Sequence, residues 1–154
     1  MTTPAKTLQA VEDDRARAQR ALEQVCARGD FEAAETLYSP EFVDHVNDLE
    51  YRGHEGIRQS VALYQSVFSE LRIHVDDQVT EGDRVVSRWT AEGENRGRQI
   101  RLQGITISRF VDERITEDWT VSDNLSLLRQ LGLWRAALVG IDQLAAYARR
   151  LLGL

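Results

Sequence analysis

The stretch ITEDWTVSDNLSLLRQLG, residues 115–132, changes character halfway along. Its first part alternates, so that Ile115, Glu117, Trp119, Val121 and Asp123 share one face of a predicted strand. A helix is predicted from residue 124 to about residue 131. The stretch therefore predicts a strand that leads directly into a helix, with a single carboxylate, Asp123, at the junction.

Alternating hydrophobic residues predict three more strands before this one. Residues 81–83 and 112–113 have the composition of tight turns, so the strands are expected to form an antiparallel meander. In the longest strand the hydrophobic positions change parity near Gly104, where we predict a bulge. The three strands are predicted at residues 71–79, 84–92 and 98–111.

Hydrophobic residues at helical spacing predict helices on both sides of the meander. The predicted helices cover about residues 7–28, a short stretch after Asp30, about residues 53–70 and a final segment at about residues 133–152. This order of elements indicates an α+β fold, in which a curved antiparallel sheet folds over the N-terminal helices as a cone with an internal pocket. No repeat or linker interrupts the chain. We therefore expect one domain at residues 1–154, with an N-terminal helix in 1–30 and a C-terminal helical extension in 133–154.

Composition excludes several classes of function. The 154 residues carry a net charge of -6, which disfavours nucleic acid and anionic membranes as partners. No apolar run is long enough to span a membrane, and the N-terminus lacks the core of a signal peptide. The lone Cys26 indicates a reducing, cytoplasmic setting. The three histidines lack metal-ligand spacing, and we expect no metal, nucleotide or serine-hydrolase site.

Asp123 has two interpretations. It ends an apolar face that includes Trp119, and burial beside an indole would raise its pKa towards neutrality, as a general base requires. However, aspartate is also a favoured N-cap, and Asp123 directly precedes a helix. The sequence leaves both roles open.

The other candidate site residues are mostly aromatic. Trp119 and Trp89 could stack on a flat ligand or could belong to the core. His45 could donate a hydrogen bond to a substrate carbonyl, or it could be a structural histidine. Val121, Tyr64 and Phe68 complete the predicted pocket lining.

Four stretches together resemble the SnoaL-like polyketide cyclase group of the NTF2-like superfamily. The most specific is the last, in which Trp119 is followed by Asp123 and then by Leu-Leu-x-Gln-Leu-Gly. The stretches are FVDH at 42–45, GHEGI at 53–57, VTEGDRVVSRWTAEG at 79–93 and GITISRFVDERITEDWTVSDNLSLLRQLG at 104–132.

The resemblance implies an NTF2-like cone, a homodimer or higher homo-oligomer, and a pocket for a flat, polyketide-like small molecule. It also implies that Asp123 serves as acid and base in an aldol-type ring closure that needs no cofactor. In this hypothesis His45 and Trp119 would assist. The segment between Gly93 and Gly104 is shorter than is usual in the group, and the helix after Gly132 has no counterpart there.

Three functions therefore remain open at this point. The first is a cofactor-independent cyclase. The second is an epoxide hydrolase or hydroxylation-assisting relative, which would need a second acid such as Glu117 or Asp44 in the pocket. The third is a non-catalytic binding or dimerisation module, in which Asp123 only caps a helix and the cavity is filled or closed.

Overall fold

The computed structural model describes residues 6–132 together with Gly140 and Arg149. Helix α1 (Leu8–Arg20) continues without a break into a π-helical turn (Ala21–Cys26). The remaining elements are α2 (Phe31–Leu37), β1 (Tyr38–Val46), β2 (Leu49–Arg52), α3 (Gly53–Val67), β3 (Ser69–Glu81), β4 (Arg84–Asn95), β5 (Arg98–Val111), β6 (Arg114–Ser122) and α4 (Asn124–Leu131).

Side-chain caps set the starts of the N-terminal helices. The Thr7 hydroxyl accepts a hydrogen bond from the backbone N–H of Ala10, and the Asp30 carboxylate accepts one from Ala33. Each cap satisfies a backbone donor that has no partner inside its helix. Because apolar residues recur at helical spacing, the apolar side of this helical stretch packs against the sheet. This side includes Val25 of the π-helical turn.

The six strands form one curved sheet in the order β2-β1-β6-β5-β4-β3. All neighbours are antiparallel except β1 and β6, which run parallel. The predicted α+β cone is confirmed, with the refinement that its sheet is mixed. The concave face packs on the helices, and two clusters of buried hydrophobic residues fill the space between them.

Strand β6 contains a bulge that the sequence pattern did not reveal. Phe110 pairs with Ile115 but Arg109 pairs with Glu117, so Thr116 is an extra residue without a partner on β5. Because successive side chains alternate, the extra residue moves everything after it to the opposite face. Ile115 is fully buried, whereas Val121 is 65% exposed. The prediction that residues 115, 117, 119, 121 and 123 share one pocket face is therefore wrong.

In strand β5, by contrast, a bulge was predicted and none is present. The strand pairs with both neighbours without a shift at Gly104, so the bulge predicted there is also wrong. The inward positions continue from Ile100 and Leu102 through Gly104 to the polar Thr106 and Ser108. The hydrophobic residues at 105 and 111 lie on the outer, exposed face. The apparent change of parity arose because polar residues face inward in this part of the sheet.

The predicted C-terminal helix at residues 133–154 lies outside the described residues, apart from Gly140 and Arg149, which are helical. In the described part of the chain, no helix is long and apolar enough to cross a membrane.

Candidate functional site

A small, largely enclosed chamber lies between the π-helical turn, α3 and the inward side chains of β1, β3, β4, β5 and β6. Its volume is about 30 Å³, enough for roughly two water molecules. The polar groups on its wall belong to Asp44, Asp118, Tyr38, Ser60, Thr106 and Thr120. We refer to it as the inner chamber.

Asp44 and Asp118 are neighbours on the parallel strands β1 and β6, where they are paired in register. Both are buried, each with 7% of its surface exposed. The Ser60 hydroxyl hydrogen-bonds Asp44, and the Ser108 hydroxyl hydrogen-bonds Asp118. Oδ1 of Asp118 is buried and has no hydrogen-bond partner among the described residues. An unpaired buried oxygen is costly to a fold, and here it belongs to a residue that lines a cavity.

The two carboxyl groups differ in acidity. Burial raises the pKa of Asp44 to about 6, although the Ser60 hydrogen bond and the charge of His45 both lower it. Burial raises the pKa of Asp118 well above its usual range, and the charge of Asp44 raises it further. Two adjacent carboxyls in a poorly solvated site ionise one after the other. Of the two groups, Asp44 is therefore the one that loses its proton first, and Asp118 is the one that holds its proton to higher pH.

Cys26 and Tyr38 lie beside this pair and hydrogen-bond each other. Burial is the main reason that the pKa values of both groups are raised, and the charges of Asp44 and Asp118 add to it. Both groups stay protonated at neutral pH. Since the thiolate is the reactive form of cysteine, Cys26 is not suited to be a nucleophile.

Trp89 forms one wall of the inner chamber and is 2% exposed. Its Nε1 donates a hydrogen bond of 2.9 Å to Oγ1 of Thr106, which is also 2.9 Å from Oγ1 of Thr120. The indole lies over Gly104 on the next strand, where an added Cβ would be 2.3 Å from Cζ2 of Trp89. The glycine is therefore required for the tryptophan to occupy this place.

A second, larger pocket of about 520 Å³ opens next to the inner chamber. Its walls are largely apolar and include Leu63, Val67, Phe68, Leu102 and Leu127, while Asn47, Asp48, Ser122 and Asn124 contribute polar groups. Val46 and Tyr64 line both spaces, so they mark the junction. We refer to this space as the outer pocket.

The structure places Asp123 away from both spaces. It is exposed, and its Oδ1 accepts a hydrogen bond of 3.0 Å from the backbone N–H of Ser126, so that it caps α4. Of the two interpretations of Asp123, the geometry matches the helix cap. Asp123 instead lines an open groove of about 360 Å³ on the outer face of the sheet, together with Gly104, Ile105 and Val121, because the bulge at Thr116 turns its strand over.

His45, Trp119 and Val121 also lie on the outer face of the sheet. The His45 ring stacks on Trp119 with 5.6 Å between ring centres, and its Nε2 is 2.9 Å from Oε1 of Glu117. The positions predicted for these three residues, inside the pocket, are wrong for the same reason as that of Asp123. By contrast, Trp89, Tyr64 and Phe68 do line the cavities.

Asp118 was missed by sequence reasoning, and Asp44 was considered only as a second acid. The inward run of β5 gave a usable signal, since Ile100, Leu102, Thr106 and Phe110 all have the same parity. Small polar residues within such a run indicate a polar cavity. In the described part of the chain, no group of three or more His, Cys, Asp or Glu side chains is placed to hold a metal ion.

Comparison with known proteins agrees with this architecture. The sequence profile of the SnoaL-like polyketide cyclase family matches residues 16–131, which is most of the chain. The chain belongs to the SnoaL-like polyketide cyclase family. No curated protein sequence matches this SnoaL-like chain.

Several solved structures resemble this SnoaL-like protein. IdmH of Streptomyces antibioticus, assigned as a polyketide cyclase, is 30% identical with a TM-score of 0.66, over 77% of this chain and 98% of IdmH. A Bacillus cereus protein with the same assignment is 27% identical with a TM-score of 0.75, over 84% and 87% of the two chains. AclR of Streptomyces galilaeus, assigned as a hydroxylase, is 23% identical with a TM-score of 0.66, over 79% and 97%, and shares the fold.

Proposed function

We propose that this SnoaL-like protein catalyses an aldol-type ring closure of a polyketide-like carbonyl compound, with Asp44 as the base and Asp118 as the acid. The observation that carries the proposal is the pair of buried carboxyls, side by side in a small chamber that shares the lining residues Val46 and Tyr64 with the apolar outer pocket. A carboxylate next to a carboxylic acid near neutral pH supplies both groups that the reaction needs.

Two proton transfers in the proposed reaction use these two side chains. The Asp44 carboxylate removes a proton from a carbon that lies between two carbonyl groups, which leaves an enolate. The enolate carbon forms a bond to a second carbonyl carbon of the same molecule, and the electron pair of that carbonyl moves to its oxygen. Asp118 donates its proton to this oxygen. Transfer of the proton from Asp44 to Asp118 then restores both groups, and no atom is gained or lost.

The test is a pair of isosteric substitutions, Asp44→Asn and Asp118→Asn, assayed with linear poly-β-carbonyl compounds. We expect each substitution to lower kcat by about 10²-fold or more, because general acid or base catalysis is lost. Binding of an unreactive analogue should persist. Asp123→Asn is the matched control and should retain full activity, since asparagine also caps helices. Full turnover in Asp44→Asn and Asp118→Asn would contradict the proposal.

Epoxide opening is a second candidate, and the inner chamber favours it. The space is large enough for roughly two water molecules beside both a base and an acid, and attack of water on a protonated epoxide requires such an arrangement. Mass spectrometry in H₂¹⁸O separates the two reactions, because epoxide opening adds one labelled oxygen and ring closure adds none.

The hypothesis of a non-catalytic module predicts an aspartate that only caps a helix and a cavity that is filled or closed. Asp123 matches the first expectation, but the open outer pocket does not match the second. Two buried carboxyls without a salt bridge also reduce stability, which a structural module has no reason to retain.

A further inference from the structure

The two spaces of the site differ greatly in size. The outer pocket has about 520 Å³ and the inner chamber about 30 Å³. The larger space is in the range of pockets that hold a drug-sized molecule. The smaller one admits only a few non-hydrogen atoms, so the rest of the reacting groups must lie at its junction with the outer pocket. The two carboxyls are in the smaller space, so only a slender part of a ligand can reach them.

Tyr64 stands where the two spaces meet. Its half-buried side chain comes from α3 and lines both of them. Burial raises the pKa of the phenol above its usual range, and the neighbouring Cys26 and Asp44 raise it further, so its hydroxyl lies near these two groups and keeps its proton. Among the described residues, this hydroxyl has no hydrogen-bond partner. A protonated, unpaired phenol at a junction is available to donate a hydrogen bond to a ligand.

The polar composition of the outer pocket limits what can fill it. The charged residue on its described wall is the acidic Asp48, and the other polar groups there are neutral. An anionic group would have no cationic partner on this wall. The outer pocket therefore suits an uncharged, mainly apolar body.

We propose that the substrate binds end-on, with a slender carbonyl-bearing end in the inner chamber, its oxygen accepting a hydrogen bond from Tyr64, and an uncharged apolar body in the outer pocket. This inference rests on the proposed function, because it takes the carboxyl pair as the reacting site. It replaces the expectation of a flat molecule lying across the pocket with a molecule that reacts at or near one end.

The geometry also gives Tyr64 a role in the reaction. The oxygen that it binds becomes negative when Asp44 removes the proton from the adjacent carbon. A hydrogen bond to a developing oxyanion is stronger than one to a neutral carbonyl, so the phenol favours enolate formation. Tyr64 is thus both a specificity-determining and a catalytic residue in this arrangement.

The test compares binding of two isomeric ketones, dodecan-2-one and dodecan-6-one, by isothermal titration calorimetry. Neither can undergo the intramolecular ring closure, so binding is measured without turnover. In dodecan-2-one a single methyl group lies beyond the carbonyl, whereas dodecan-6-one carries a five-carbon chain on its shorter side. We expect dodecan-2-one to bind at least about five-fold more tightly, which is the value of one hydrogen bond that the other isomer cannot form. Equal affinities would overturn the proposal.

Two variants test which residues cause the preference for dodecan-2-one. Tyr64→Phe keeps the ring and should weaken binding of dodecan-2-one about five-fold, while binding of dodecane, which has no oxygen, should stay the same. If the affinities for both ligands fell equally, the proposed hydrogen bond from Tyr64 would be wrong. Ile73→Val removes one methylene from the wall of the inner chamber. It should reduce the preference for dodecan-2-one over dodecan-3-one, and an unchanged preference would contradict entry into this chamber.

The test of end-on binding and the test of the proposed reaction can fail independently. If Asp44→Asn and Asp118→Asn retain full turnover but the preference between ketone isomers is found, the binding mode stands and the reaction is wrong. If these variants lose turnover but the isomers bind equally, the carboxyls react with a substrate that enters in another orientation.

Discussion

Asp118 and Asp123 are five residues apart, and their surroundings give them different chemistry. Asp118 is buried beside a second carboxyl, which raises its pKa, whereas Asp123 is exposed and accepts a hydrogen bond at the start of a helix. The alternation of the local sequence assigned them to opposite faces of the strand, but the wrong way round, because the bulge at Thr116 reverses the two faces. What separates them is the direction of each side chain from the sheet.

The cap at Asp123 can be measured directly. Asp123→Ala removes the acceptor of the Ser126 N–H and should lower the free energy of unfolding by about 1 kcal/mol, whereas Asp123→Asn should change it much less. Asp30→Ala, which removes the equivalent cap of α2, should cost a similar amount. Urea denaturation provides the values. A large loss of activity with no loss of stability in Asp123→Ala would show that Asp123 has a chemical role after all.

His45 should tune the active pair from the outer face of the sheet. The carboxyl of Asp44 is surrounded by Asp118, Cys26, Tyr38 and Tyr64, none of which is positively charged. The charge of His45 lowers the pKa of Asp44, so His45→Gln should move the acidic limb of the kcat/KM profile, expected near pH 6, to higher pH. Activity at pH 8 should change little. His74→Gln is the control, since that residue is on β3, away from Asp44. If the acidic limb of the kcat/KM profile did not move in His45→Gln, the charge of His45 would not be coupled to Asp44.

Among the elements, the strands were harder to predict than the helices. The helical stretch predicted at about residues 7–28 contains α1 (Leu8–Arg20) and the π-helical turn (Ala21–Cys26), because helical periodicity depends on residues that are close in sequence. The change to π-helical geometry was not predicted. The faces of β5 and β6 depend on an unpaired residue at Thr116 and on polar side chains that point into a cavity. The extra residue has no local sequence signature, and the inward polar positions of β5 are visible only as small polar residues within a run of one parity. The cone, the element order and the cavity-lining positions of Trp89, Tyr64 and Phe68 could therefore be predicted, but the place of Trp119 and the acidic pair could not.

The packing of Trp89 of β4 on Gly104 of β5 can be tested by substitution. Gly104→Ala would place a methyl group against the Trp89 ring, and overpacking of this kind costs about 1–3 kcal/mol. The displaced indole should also lose its hydrogen bond to Thr106, which near-ultraviolet circular dichroism can follow. Trp89→Phe should rescue much of the stability of Gly104→Ala, since the smaller ring leaves room. A double variant as unstable as the sum of the single ones would mean that the clash is not the cause.

For the whole molecule, the buried carboxyls predict an unusual dependence of stability on pH. The folded pKa of Asp44 is raised to about 6, so its contribution is favourable below its unfolded pKa and is lost as the pH rises through 6. The shift corresponds to about 3 kcal/mol. The stability of Asp44→Asn relative to the unsubstituted protein should therefore increase between pH 4 and pH 7, as measured by urea denaturation across this range.

Asp77 supplies a control of opposite sign. A hydrogen bond from Arg88 lowers the pKa of Asp77, so its contribution is present above the unfolded pKa and is lost as the pH falls. The stability of Asp77→Asn relative to the unsubstituted protein should therefore not increase as the pH rises. If Asp44→Asn showed the same trend as Asp77→Asn, Asp44 would not be a desolvated carboxyl in the folded protein.

The extra residue at Thr116 also bears on how such a protein can evolve. Loss of the codon for Thr116 would leave Ile115 directly followed by Glu117, so Glu117 would still face outward opposite Arg109 and Asp118 would still face inward. Insertion of one residue after Glu117 would instead send residues 118–122 to the other face, so that Trp119 faced inward and Asp118 faced solvent. A change of chain length by a single residue at that place can thus replace the whole chemical lining contributed by β6, which no single substitution could do. Among homologues, the distance between the bulge and the acid at position 118 should therefore be inherited, whereas the bulge residue itself can be lost.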